Sequence, residues 1–502
     1  MRKRIQTIVV TIVIVFGISC KKEKIITSSS AKLSFSQPSI TFDTVFTKIG
    51  STTRLFRVHN PNNGEVNISS ISLARGNASF YRLNVDGVPG KSFGNIQIAA
   101  KDSMYIFVQV TIDPSFDPVT SPFIYRDSII FHINGNTQYF PLLAFGQNAY
   151  YHLPNQKIIF SNSQALYYEV EPCNTTWAID KPHLIYGYAV VDSACTLTIP
   201  AGAKIYMHSG AGIWVYRYGS INIGAGGSPT NTVSIQGDRL EPDYKDVPGQ
   251  WDRIWINEGS TVNVINYAII KNAYIGVHAG YSAFDGFGNT VNQSDPKHLS
   301  LTNTIIQNCS YAGVLGHYFN ISGGNDVVVN CGQHLLEFDF GGNYAFYQCT
   351  FANYWNQTNN STNSSARTTP SFYFNNYYNG STPNAFESLY FGNCILDGSM
   401  AEEFKFDTIA GGFAHPYFFN YCALKTGISA LTTYTGSHTY HIIQLTSNNI
   451  SYGSTATYSF SLNPGSAPTG AGGTALSATG GYATDINNTL FGSPPNMGAY
   501  AN

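Results

Sequence analysis

Charge is scarce in this chain. Of its 502 residues only 11% are Asp, Glu, Lys or Arg, against about a quarter in ordinary soluble proteins. The 27 basic residues nearly balance the 29 acidic ones, for a net charge of −2. No basic stripe remains that could serve as a nucleic-acid footprint. Long apolar runs are missing too: none reaches the roughly 20 residues that cross about 30 Å of hydrocarbon. No extended 3.6-residue periodicity is visible, which disfavours helical bundles. The eight cysteines include no two that lie two to four residues apart, so the usual structural zinc spacing is absent. Asp-Asp does not occur anywhere. What the chain has in quantity is Gly (47), Tyr (34) and Phe (32), a mix that favours all-β structure with many turns.

The organising stretch is Thr196 to Ile223. Apolar pairs Leu197/Ile199, Ile205/Met207, Ile213/Val215 and Ile221/Ile223 alternate with polar positions, and Gly-bearing corners separate them. Alternation over three to five residues marks strands with one buried face. Corners this short leave no room for crossover helices, so the strands must coil and stack, as in a parallel β-solenoid. Further on, Asn272-Ala273, Asn308-Cys309, Asn330-Cys331, Gln348-Cys349, Asn393-Cys394 and Tyr421-Cys422 recur in steps of 36, 22, 18, 45 and 28 residues. Taking the two long steps as double gives seven coils of about 21 residues, a common repeat length. Asn suits a corner because it tolerates positive φ and can hydrogen-bond the next coil's Asn. Each Cys beside it reads as a small inward filler of a stacked column rather than as a metal ligand.

The expected fold is all-β, with an N-terminal immunoglobulin-like sandwich followed by a right-handed parallel β-helix. Residues 31–148 hold short alternating runs: Leu33–Phe35, Arg54–His59, Val66–Leu73, Tyr105–Ile112, Ser128–Ile133 and Tyr139–Phe145. Turn signals such as Asp86-Gly87 and Asn134-Gly135 divide them, a spacing that suggests an antiparallel sandwich. Through Ser51–Asn60 and Ile98–Val108 with its Asp113-Pro114, this part resembles hydin-type immunoglobulin-like domains. Residues 149–195 read as linker and N-terminal cap, 196–425 as the β-helix and 426–502 as a closing segment that folds back over the last coil. Cys173 and Cys195 flank the cap. They form either a disulfide, stabilising by about 3 kcal/mol for such a loop, or two buried thiols. From Leu197–Ile205, Gly249–Ile256, Leu462–Pro468 and Pro495–Tyr500, residues 185–502 resemble secreted bacterial β-helix proteins of the pectin-lyase-like kind.

The N-terminus reads as an address. Arg2-Lys3-Arg4, the apolar Ile8–Ile18 and Gly17-Ile18-Ser19-Cys20 resemble a bacterial lipoprotein signal peptide spanning 1–19. The resemblance implies a lipidated Cys20, a tether over 20–30 and anchorage in the outer membrane, on a face that the residues leave open. Acyl chains on Cys20 would partition into the bilayer at about 0.8 kcal/mol per buried methylene.

Chemistry is harder to read. The pectin-hydrolase residues Asn-Thr-Asp, Asp-Asp, Gly-His-Gly and Arg-Ile-Lys are absent, as is the pectate-lyase Arg-x-Pro-x-x-Arg. Three charged clusters remain. The first runs from Asp238 and Arg239 through Asp243 to Arg253, a solvated loop or a sugar or Ca²⁺ site. The second is Glu337-Phe-Asp339, whose alternation puts both carboxylates on one strand face, a pairing suited to acid–base work. The third, Glu402–Asp407, reads as an exposed strand with paired charges. Trp214, Tyr216, Tyr218, Tyr377 and Tyr378 could stack on sugar rings or on one another. The expected role is a non-catalytic surface for glycans or a cell-surface partner, without cofactor. A cell-attached polysaccharide lyase or hydrolase is the alternative, and only its lyase form calls for Ca²⁺. A spacer without ligand is the third reading.

Overall fold

A computed structural model describes residues 24–113, 115, 123–159, 164–280, 295–355, 367–378, 382–409, 417–427, 438–476 and 481–501, with Tyr378, Thr382, Pro383 and His438 described in backbone alone. The chain divides between Ala149 and Tyr150 into two compact units. Among the described residues no helix is long and apolar enough to cross a membrane.

The first unit is a sandwich of two five-stranded sheets. The strands Arg54–His59 and Val66–Leu73 form where alternation placed them. Ile40–Phe46, Tyr81–Val85 and Ser92–Ile98 are strands that the sequence signals did not mark. Ile40–Phe46 runs parallel to Asn136–Gln147, so the sandwich is not wholly antiparallel. Asn134 and Gly135 both take positive φ, 48° and 79°, as the tightest hairpin turn demands. Phe56 from one sheet stacks on Phe140 from the other, ring centroids 3.8 Å apart. Asn60, fully buried, donates to Gly64 O and Ile98 O and so closes the end of its strand.

The second unit is a parallel β-helix of three long sheets with 11, 10 and 10 strands. Each full coil gives one strand to each sheet. The coil at Ala268–Lys271, Ile275–Gly280 and Lys297–Thr302 shows the order first, second, third sheet. Inward residues such as Leu197, Ile205, Ile213 and Ile221 form one continuous core. Where the third sheet returns to the first, the corner from Tyr267 onward is only one or two residues long. Tyr267, Asn303, Asn325, Gln348, Asn393, Tyr421 and His441 sit there, all at φ between 47° and 54°. Asn303 and Asn325 join a side-chain ladder, Asn325 Nδ2 donating to Asn303 Oδ1 at 3.2 Å and Asn303 Nδ2 to Asn266 Oδ1 at 3.0 Å.

Two details of the repeat differ from the sequence reading. Asn272, Asn308 and Asn330 belong to another corner, between first and second sheets, with Asn308 Nδ2 donating to Asn272 Oδ1 at 2.7 Å. The cysteines accordingly fall into two stacks, Cys309 over Cys331 and Cys349 with Cys394 and Cys422, all wholly buried. The 36- and 45-residue steps are single coils that carry long connections, not double coils.

Winding also begins earlier and ends later than the interval 196–425. Tyr150–His152, Ala165–Val170 and Thr175–Thr176 already enter the three sheets, and His438–Tyr440 and Ile443–Gln444 extend them. At the start, Gln156–Ile159 pairs antiparallel with Ala165–Val170 and covers the edge of the second sheet. Cys173 and Cys195 form a disulfide. The described residues of the closing segment are not gathered over the last coil alone. They run along the outer face of the first sheet, where Leu445, Tyr452, Phe460, Leu462, Ile486 and Met497 cover Val327, Val329, Ala352, Ile395 and Ala423. Those outward positions are apolar and need cover; the spiral's flank, rather than its end, is where that surface lies.

Candidate functional site

Five long connections of the β-helix adjoin the second sheet. Residues 238–253 and 354–371 lead into it, while 281–296, 376–385 and 408–416 lead out. Loops of this length on a rigid scaffold are the usual place for binding chemistry. The strands His334–Asp339 and Phe372–Asn375 lie next to one another between them. In His334–Asp339, Phe338 faces the core, so alternation turns Glu337 and Asp339 outward. The two α-carbons are thus about 6.6 Å apart along the strand.

Both carboxyls are deeply set. Tyr311 donates its hydroxyl to Glu337 Oε1 at 3.0 Å, and Glu337 Oε2 is buried without a hydrogen-bond partner. Asn375 Nδ2 donates to Asp339 Oδ1 at 2.7 Å, while Asn375 Oδ1 accepts from Phe340 N at 2.9 Å, which fixes the amide's orientation. Burial, with the neighbouring Asp339 charge, pushes Glu337 up to about 8 against the Tyr311 hydrogen bond. Burial alone pushes Asp339 up to about 7. Burial thus favours the protonated form of each carboxyl, which would let one donate while the other accepts.

The surroundings are aromatic and imidazole-rich. Tyr274 stacks on Tyr311 at 5.3 Å. His317, in register with Asp339, stacks on Phe340 at 5.8 Å, and burial lowers it to about 4. Gly280, at φ 108°, lies opposite His317, where a Cβ would run into the His317 carbonyl. His278 stacks on Trp255, and burial beside Arg253 holds it well below the ordinary histidine value. Two coils beyond the carboxyl pair, Asp407 Oδ2 accepts from Tyr373 at 2.8 Å and from Tyr377 at 3.0 Å. Although burial would raise Asp407, these hydroxyls hold it below the usual carboxylate range. The sequence placed Asp407 in a charged strand and Tyr373 and Asn375 in an aromatic run, without joining them or Tyr311 to the carboxyl pair; the repeat of Tyr274 and Tyr311 in successive coils was the visible signal for Tyr311.

The remaining candidates are dispersed. Trp214 is only 2% exposed, stacked on Trp255 at 4.9 Å, with its indole N–H donated to Asn257 Oδ1, so no ring face is left for a sugar. Tyr216 packs edge-on against Trp214, and Tyr218 is 49% exposed. Tyr377 joins the Asp407 network, whereas the side chain of Tyr378 lies outside the described residues. In the charged loop, Asp238 pairs with His208 at 2.7 Å, Arg239 with Glu241 and the Tyr244 ring, and Asp243 points to solvent. These carboxylates do not converge. Glu402–Asp407 is not an exposed charged strand: Glu403 is wholly buried against Arg367 and accepts from Ser371 and Met400 as well. Cys20 lies outside the described residues.

No protein-family model and no curated protein matches the chain. Similar solved structures include the ASH/PapD-like domain 7 of human CEP192, at 11% identity over 26% of this chain and 93% of that one, TM-score 0.17. The periplasmic chaperone SfaE matches at 12% identity over 27% of this chain and 70% of its own, TM-score 0.16. A family 123 glycoside hydrolase from Clostridium perfringens, described for glycolipid glycan hydrolysis, matches at 12% identity over 24% of this chain and 30% of its own, TM-score 0.15.

Proposed function

We propose that the outer face of the second sheet is a carbohydrate-recognition surface, presented by a protein that Cys20 anchors to the outer membrane by lipid. The observation that carries the recognition reading is the line of polar and phenolic groups from Tyr274 and Tyr311 through Glu337 and Asp339 to Tyr377 and Asp407. Sugar hydroxyls both donate and accept, so carboxyls whose protonated form burial favours can meet them with either role, and phenol rings offer flat faces for pyranose rings. A half-protonated pair also repels an acidic sugar less than two carboxylates do.

Affinity of the full chain for a panel of neutral and acidic polysaccharides tests this. Tyr311→Phe and Asp339→Asn are expected to weaken the bound glycan at least about tenfold, the cost of one lost hydrogen bond to a charged or partly charged group. Unchanged affinity in both variants would exclude this face. Anchorage is tested separately, by fatty-acid labelling that should vanish in Cys20→Ala.

A second reading rests on the raised carboxyls. An acid that stays protonated near pH 7 is what glycosidic-bond cleavage needs of its proton donor, with Glu337 in that role and Asp339 as base. Release of reducing ends that disappears in Glu337→Gln would favour cleavage over binding alone. The scattered carboxylates of the 238–253 loop weigh against a Ca²⁺-dependent lyase.

A further inference from the structure

At its first coil the β-helix core changes chemistry. His152 is in register with Ile185, His183 with Ile205 and Glu169 with Ala189, partners that all belong to the aliphatic core. Two histidines and a glutamate thus stand where the coil that follows has hydrocarbon. Glu171, 7% exposed, follows on the same strand face, two residues after Glu169. One ligand atom each from His152, Glu169 and Glu171 lies within 4.8 Å of the others, which small side-chain rotations bring to bonds of about 2.0–2.2 Å around one ion.

The hydrogen bonds fix what each atom can offer. His183 Nε2 faces Ala178 O at 2.8 Å and must donate to it, so a neutral His183 has its lone pair on Nδ1. That Nδ1 lies 2.9 Å from His152 Nε2, which therefore carries the hydrogen. A neutral His152 then turns the lone pair of Nδ1 toward Glu171 Oε1, only 2.7 Å away. Two lone pairs cannot face each other at that distance without a positive charge between them. A proton would serve that contact but leaves Glu169 Oε2, which is buried with no hydrogen-bond partner. A divalent cation satisfies all three residues at once.

The outer ring of support is also in place. A metal-bound histidine is ordinarily oriented by donating its other N–H, here from His152 to His183. Trp177 donates its indole N–H to Glu171 Oε2 at 3.1 Å and stacks on His183 at 4.3 Å. The Cys173–Cys195 disulfide ties down the segment that joins Glu171 to Trp177.

We infer that His152, Glu169 and Glu171 form a binding site for a divalent transition-metal ion of the zinc or manganese class, which ties the opening strands of the β-helix together. One imidazole nitrogen and two carboxylate oxygens suit such ions, whereas Ca²⁺ seeks six to eight oxygens. The test is calorimetric titration of the full chain, stripped with chelator, using ZnCl₂, MnCl₂ and CaCl₂ in turn. One Zn²⁺ per chain is expected, bound more tightly than Mn²⁺, with no saturable Ca²⁺. Glu169→Gln and His152→Gln should each weaken Zn²⁺ at least about 100-fold, and His183→Phe about 10- to 100-fold, as for other outer-ring partners. Zn²⁺ should raise the melting temperature of the natural chain and not of Glu169→Gln. Failure of the natural chain to bind one Zn²⁺ overturns the inference. So does undiminished binding in Glu169→Gln, a variant whose Oε2 position has no hydrogen bond to lose and which decides the matter even if His152→Gln does not fold.

Discussion

The first and second sheets are wound from the same coils, and from Tyr311 onward their outer faces diverge. Outside the first sheet lie Val327, Val329, Ala352, Ile395 and Ala423, sealed by the chain's own closing segment. Outside the second lie Tyr311, Glu337, Asp339, Tyr373 and Lys405, bordered by long connections. Corner residues hold the seal in place: Asn325 donates to Thr484 O, Gln348 to Asn496 O, and Asn393 exchanges hydrogen bonds with Gly473. The difference teaches that a solenoid's flanks are independent surfaces. One can be spent on stability while its neighbour keeps buried carboxyls that stability alone would not select.

The comparison breaks most severely if the seal is dispensable. Deleting residues 446–502 is expected to abolish soluble monomer, because the apolar flank is left open to association; size-exclusion chromatography of the truncated chain reads this directly. Next in size is Glu403→Ala, which strands the buried Arg367 guanidinium beside the second sheet. An uncompensated buried charge costs about 3–5 kcal/mol, measurable by urea unfolding.

The carboxyl pair distinguishes the two flanks by pH. Glu337 and Asp339 have folded values above their unfolded ones, so the folded state binds more protons between about pH 4 and pH 8. Stability must then fall as pH rises through that window, by up to about 1.4 kcal/mol per unit for each group that titrates independently. Because the two titrations are coupled, the total is expected to fall short of the sum of two independent groups. Glu337→Gln should flatten most of the slope in unfolding free energy between pH 5 and pH 8; an unaltered slope would remove this pair as its source. The smallest effect is on the sealed flank. Asn393→Ala loses its hydrogen bonds to Gly473 and a residue tolerant of φ 53°, for about 1–3 kcal/mol. That loss should be independent of pH between 5 and 8.

Much of the winding was legible from residues alone. Alternation in Thr196–Ile223 located strands, and the Asn-rich corners do adopt the positive φ that such residues tolerate. The repeat length misled because inserted connections sit at the two other corners, where nothing in the spacing of Asn272 and Asn308 separates a long coil from two short ones. Val327-Val328-Val329 breaks alternation altogether, the mark of a strand buried on both faces; its cover lies more than 100 residues away in sequence, at Phe460 and Met497. The site was half legible. Spacing put Glu337 and Asp339 on one face, but their partners Tyr311 and Asn375 come from adjacent coils, 26 and 36 residues away. No local pattern encodes such pairings, just as none joins Arg367 to Glu403.

The tight return from third to first sheet has a further consequence. With one or two residues there and a left-handed backbone at each, a single inserted residue would swap interior for exterior along the strand that follows. From Tyr267 onward that edge keeps its length, whereas the earlier corner at 226–232 holds seven residues. From Tyr267 onward, variation in length falls instead at the corners that flank the second sheet, the one that carries Glu337 and Asp339, and leaves the thread of the screw untouched.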